Sequence, residues 1–224
     1  MSSSPRRNDS ASLTGIAVAW GGTALLVSPA ARLFGPPDRL STQIAGQLAF
    51  WAVFAIVIAI VHYWEKQPLA SLGLRAFGWP SIGWGLVLAA FLMYVAYPIQ
   101  VRALDALGLA GFEPGIARVV ALPLWLRVFA VLTAGIVEDT LFLGYALQRL
   151  RGLIGIDWIA AAISITVTAL LHWPNWGVGP VLAFVLSAAI GTAFFLWRQD
   201  LLANIVAHTI TDGMAFVIVP LLSR

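Results

Sequence analysis

Seven stretches of about 20 mostly apolar residues recur along a chain of only 224, and each is long enough to cross a bilayer as a helix rising 1.5 Å per residue. They lie at roughly residues 12–31, 41–63, 81–101, 122–149, 156–174, 178–197 and 200–222. Lipid tails cannot hydrogen-bond a peptide group, so each segment must satisfy its own backbone, which a helix does. The pattern predicts an all-α polytopic membrane helix bundle of about seven transmembrane helices, with six to eight compatible. Residues 1–10 read as a disordered N-terminus and 11–224 as a single membrane domain. Arg6 and Arg7 followed by an apolar run with small residues near Ala30 also fit a secretory signal, but in a chain with so many later spans an uncleaved first helix is the expectation.

Composition narrows the function classes. Hydrophobic residues make up 60% of the chain and charged ones 10%, too few to cover a soluble domain. The Lys and Arg residues are scattered between the apolar segments, which excludes a nucleic-acid footprint. With no cysteine, thiolate nucleophiles, disulfides and cysteine metal sites are all removed. Lys and Arg fall slightly in excess on the N-terminal side, with Arg149 assigned to that side and Arg127 to the other, so the chain reads as an integral protein of a bacterial plasma membrane with a cytoplasmic N-terminus. The stretch WEKQPLASLGLRAFGWPS, too short and polar to cross, predicts a helix lying among the headgroups. Trp158, Trp173, Trp176 and Trp197 at span ends read as belt anchors, and His62 as an interfacial residue.

An ionisable side chain at the centre of a membrane helix costs about 2.5 to 3.5 kcal/mol on insertion scales, so each one needs a reason. The second half of the chain holds five: Glu138, Asp139, His172, His208 and Asp212. Glu138 is 14 residues from the turn near Gly152, and His172 is 14 residues from Trp158, about 21 Å in each case, so antiparallel helices bring them to one depth. Asn204, His208 and Asp212, spaced by four, share one helix face that must meet protein or a wet cavity. Asn204 alone is also explained by a bond across helices, and a single histidine by packing. A buried Glu is a usable general base, and beside two imidazoles it can activate a water while a second His donates to a developing oxyanion, a plan for amide hydrolysis. Two His and a Glu (Glu138, His172, His208) also suit zinc in kind, although no HExxH helix is present. No cofactor is expected, with zinc the alternative. Buried acids and histidines near Gly and Pro breaks also mark ion paths, so a proton or ion transporter is a further reading.

The residues resemble the CAAX-protease and bacteriocin-processing family of intramembrane proteases, which includes the Rce1-type prenyl-protein endopeptidases. Its motifs, EExxxR, FxxxH and HxxxN or HxxxD, are matched by EDTLFLG at Glu138–Gly144, TALLH at Thr168–His172 and HTITD at His208–Asp212, with anchors 34 and 36 residues apart. The resemblance covers about residues 118–216. It implies an endopeptidase acting on a membrane-associated protein or peptide, with Glu138 and His172 activating water, His208 and Asp212 holding the scissile carbonyl, and Asp139 and Asn204 in support. Three departures stand out: Asp139 for Glu, Leu143 for Arg and Thr168 for Phe. The Arg absent at 143 is the expected partner of the second acid, and Arg149 lies about 15 Å along the helix from Asp139. Asp139 is therefore protonated, bonded to a group that the sequence does not identify, or facing water. A catalytically impaired relative acting as a membrane scaffold or immunity-type partner is the alternative.

Overall fold

A computed structural model describes residues 9–27, 35–36 and 39–223. Among them there are eight helices and no strand. They are α1 (Asp9–Val27), α2 (Leu40–Trp64), α3 (Trp79–Ala106), α4 (Glu113–Val120), α5 (residues 124–154), α6 (Asp157–Trp176), α7 (Val178–Arg198) and α8 (Leu201–Leu222). Each predicted segment coincides with a helix, and only the short α4 is additional. By length and composition α2, α3, α7 and α8 can cross a membrane unaided. The first predicted segment, 12–31, runs beyond the described part of α1, and Arg6, Arg7, Ala30, Arg32 and Arg224 also lie outside the described residues. Large apolar side chains such as Leu86, Val87, Phe91 and Leu182 are exposed, as lipid-facing residues should be.

The last four helices are joined by links of one or two residues, which forces antiparallel neighbours. Gly155 (φ +75°) ends α5, and Gly177 (φ +82°) separates α6 from α7, both in the left-handed region that favours glycine. Helix α8 starts at Asp200, whose carboxylate accepts the Ala203 N–H at 3.2 Å and the Ser81 hydroxyl of α3 at 2.7 Å. Small residues then let α3 and α8 close up: Gly85 sits against Val206 and the Ala203 carbonyl, and Ala89 and Ala207 are buried in the seam.

Two expectations are corrected. The stretch between α2 and α3 is not a headgroup helix. Lys66 turns the chain at φ +54° and Pro68 precedes a single 3-10 turn, Leu69–Leu72, whose Leu72 is fully buried in the apolar core. Nor are Arg149 and Arg127 loop charges. Arg149 is buried and chelates Glu65, with Nη2 2.6 Å from Oε2 and Nε 2.9 Å from the same oxygen. Glu65 also accepts from the Tyr145 hydroxyl (2.9 Å) and the Ser12 hydroxyl (3.1 Å), while Arg149 reaches Ser71, so one ion pair ties α1, the α2 end, the 3-10 turn and α5 together. Arg127, also buried, donates from Nη1 to the Phe216 carbonyl at 3.1 Å. Pro220, four residues on, has no N–H to offer that carbonyl, and the guanidinium supplies the donor.

Of the four tryptophans expected at span ends, Trp158, Trp173 and Trp197 are exposed, whereas Trp176 packs against Gly115 of α4 and Phe216 of α8. His62 is exposed and meets Tyr63 edge to face at 4.6 Å.

The Glu65–Arg149 pair gives the first prediction. Side-chain exposures of 4% and 7% leave little solvent to take over a lost partner. Arg149→Ala should therefore lower stability by about 3–5 kcal/mol, while the double replacement Glu65→Leu with Arg149→Leu loses less. Thermal unfolding in detergent reads both.

Candidate active site

Helix α5 winds widely, with i→i+5 turns across Thr133–Glu138 and Thr140–Leu147. Such turns inside helices are rare and recur at functional sites. The hydroxyls of Thr133 and Thr140 bond back to the carbonyls of Phe129 (2.9 Å) and Ile136 (2.6 Å), and Trp51 of α2 donates to Thr133 at 3.0 Å. Between these threonines stand Glu138 and Asp139. Neighbours on a helix project about 100° apart, so two adjacent carboxylates can serve two different helices. Here Glu138 meets α6 and Asp139 meets α8.

The Glu138 side lies against His172, with Oε2 3.6 Å from Nε2. This is beyond ordinary hydrogen-bond length. The other ring nitrogen is committed: Nδ1 lies 2.8 Å from the Thr168 carbonyl, and because a carbonyl only accepts, Nδ1 carries the proton and donates it. In the neutral ring Nε2 is then an acceptor facing a carboxylate, and a water donating to each is the group that satisfies both. Phe184 of α7 stacks on the imidazole at 4.4 Å and 20°, fixing its plane. Thr168, in the place of the motif's Phe, is buried and its own hydroxyl bonds to Ser164.

The Asp139 side holds His208. Its Nδ1 lies within hydrogen-bond distance of Oδ1 of Asp139, at 3.0 Å, and its Nε2 lies 3.6 Å from Oδ2 of Asp212, one turn along α8, so both ring nitrogens face carboxylates. Asp139 thus has a partner in a histidine 69 residues away, a group that the sequence leaves unidentified. Leu143 packs at the edge of the apolar core instead of pairing with it. Side-chain exposures of 20% for His172, 21% for Glu138 and 27% for His208 show that the protein covers these groups only in part.

The approach of α5 to α8 depends on Gly135, which sits against Thr209 and the Ile205 carbonyl. Asn204, on the same face of α8 as His208, is buried and donates to the Gly191 carbonyl of α7 at 3.0 Å, so its amide joins α8 to α7 rather than to Glu138, Asp139, His172, His208 or Asp212. Beyond His172 the chain leaves the bundle within one turn. There a cleft of about 780 Å³ opens between α4 and the α6–α7 turn, lined by Pro114, Arg118, Trp173, Pro174 and Asn175 among others. Arg118 spans it by donating to the Asn175 carbonyl. Neither this cleft nor the Glu65 network was identified from the sequence; the Pro-Asn-Trp-Gly turn directly after His172 was the one available signal for the cleft.

A tetrahedral zinc site needs at least three protein donors at about 2.0–2.2 Å from one point. Among the described residues no group of three or more His, Asp or Glu side chains is arranged to share an ion. In both rings Nδ1 is taken, in His172 by the Thr168 carbonyl and in His208 by Asp139, so Nε2 is the nitrogen that either ring could offer an ion.

Residues 120–214 match the family model described as type II CAAX prenyl endopeptidase Rce1-like. Over that segment the chain is similar to an Rce1-like domain. It contains Glu138, Asp139, His172, Asn204, His208 and Asp212. Comparison with curated proteins and with solved structures found no match. At the level of the family, an Rce1-like domain is that of an intramembrane endopeptidase, and the chain is an integral membrane protein.

The close approach at Gly135 is directly testable. A Cβ there would collide with the Thr209 hydroxyl, so Gly135→Ala should destabilise the protein by about 1–3 kcal/mol through overpacking, and Thr209→Ala in the same chain should recover part of the loss. Unfolding midpoints of the two variants check it.

Proposed function

We propose that the protein hydrolyses a peptide bond of a membrane-associated substrate with a water activated by Glu138 and His172. The single observation that carries this reading is the 3.6 Å gap between Glu138 and an imidazole whose Nδ1 is committed to a backbone carbonyl. A water in that position donates one proton to Glu138 and the other to His172 Nε2, leaving a lone pair for the scissile carbon. As it attacks, its proton passes to Glu138, and the carbonyl oxygen gains charge. His208, held between Asp139 and Asp212 as the doubly protonated imidazolium, donates its Nε2–H to that oxygen. Collapse breaks the C–N bond, and Glu138 returns its proton to the leaving amine.

No step is routed through a metal. The cleft that begins one residue beyond His172 is the route for the peptide, and its tryptophans suit a substrate held at the membrane surface. The slight basic excess on the N-terminal side supports a cytoplasmic N-terminus, which would put this cleft on the opposite face of the membrane.

Purified protein in proteoliposomes should cleave peptides anchored in the bilayer. Glu138→Gln, which keeps size and removes the base, should lower kcat by about 10²- to 10⁴-fold with the fold intact. Treatment with EDTA should leave the rate unchanged. Full cleavage by Glu138→Gln, or loss on chelation restored by zinc, contradicts the mechanism.

A further inference from the structure

The departures from the family pattern around Asp139 form one set. The chain replaces the motif's second Glu with the shorter Asp, and its Arg with Leu143. In the structure Asp139 bonds His208 Nδ1 at 3.0 Å, and Leu143 lies against the apolar core. His208 is the one cationic partner within ion-pair range of Asp139 among the described residues. Helices α5 and α8 are in close contact at Gly135, one turn before Asp139, and Thr209, directly after His208, so the space between them suits an acid one carbon shorter than Glu. An Arg at position 143 would sit one turn from Asp139 on the same helix, where i,i+4 side chains meet, and would compete with His208 for the carboxylate.

We infer that Asp139 is a positioning residue for His208: by accepting the Nδ1–H it fixes the ring's plane and, with Asp212 facing Nε2, favours the doubly protonated imidazolium whose Nε2–H is the donor, with Leu143 required as a side chain that does not compete. This rests on the endopeptidase reading for its catalytic consequence. The arrangement follows the logic by which a carboxylate on one ring nitrogen sets what the other nitrogen can do. At 3.6 Å, Asp212 is too far to consume the Nε2–H, so that proton stays available to a substrate oxygen. In this account the missing arginine is not damage. Putting it back would disarm the site.

The chain has three histidines, so a sample labelled with ¹⁵N-histidine shows three imidazoles, and His62→Gln removes the one outside the site. In the native protein His208 should show a protonated, hydrogen-bonded Nδ1. Asp139→Asn, which removes the negative charge that stabilises the second ring proton, should shift that signal and lower kcat by about 10²-fold or more with KM little changed. Leu143→Arg should shift the same signal and lower kcat, while Leu143→Met should do neither. The inference is overturned by an unprotonated His208 Nδ1 in the native protein, by Asp139→Asn with native kcat, or by Leu143→Arg that raises activity. If Asp139→Asn does not fold, the native spectrum and Leu143→Arg decide. Failure of the native protein to cleave any anchored peptide counts against the endopeptidase reading alone, because the spectrum reports the Asp139–His208 bond without turnover.

Discussion

A charge inside a bilayer persists only beside a partner, and this constraint organises the second half of the chain. Three ionisable groups of α5 are each matched by one on another element, Glu138 by His172, Asp139 by His208 and Arg149 by Glu65, while the buried Arg127 meets a backbone carbonyl of α8. Each pair fixes the rotation of α5 against one neighbour. Together they hold it between α6, α8 and the loop after α2, so the same contacts that make the polar groups tolerable also set the geometry of the site. The adjacency of the two carboxylates, odd in an apolar run, follows from the helix itself, since consecutive side chains diverge and can meet histidines on different helices.

The two histidines differ in what they have left to offer. His172 spends Nδ1 on a backbone carbonyl and turns Nε2 to a carboxylate across a gap, the arrangement of a water-holding pair. His208 turns both nitrogens toward carboxylates, Nδ1 to Asp139 and Nε2 to Asp212, an arrangement that favours the doubly protonated ring and so, on the proposed mechanism, a donor to an oxyanion. This division of labour comes from second bonds that no motif spells out: the Thr168 carbonyl, the Phe184 stack and Asp139. The family pattern names the first set of groups, and the packing of α5 on α8 through Gly135 decides how the second set is used.

The helices and the Glu138–His172 meeting were legible from the sequence because both depend on counting residues at a known rise. The partner of Asp139 was not, because it depends on which helix lies on which side of α5 and on a local winding that departs from 3.6 residues per turn. Arg149 was misread for a related reason. Measured along its own helix it is far from every acid, and its partner Glu65 lies in a polar stretch that resembles an interfacial helix but is pulled into the bundle by the arginine itself. Asn204 was placed on the correct face of α8, yet that face is wide enough for its amide to reach α7 while His208 reaches α5. Spacing gives the face of a helix; the neighbours divide it.

The central claim is that Glu138 and His172 hold the reacting water between them. A cryo-electron microscopy map of the protein in nanodiscs, at a resolution that shows ordered water, tests it directly. The account predicts one water within hydrogen-bond distance of both Glu138 Oε2 and His172 Nε2, with His172 Nδ1 still on the Thr168 carbonyl. A direct Glu138–His172 hydrogen bond with no water beside it, or an ion coordinated by both, would contradict it.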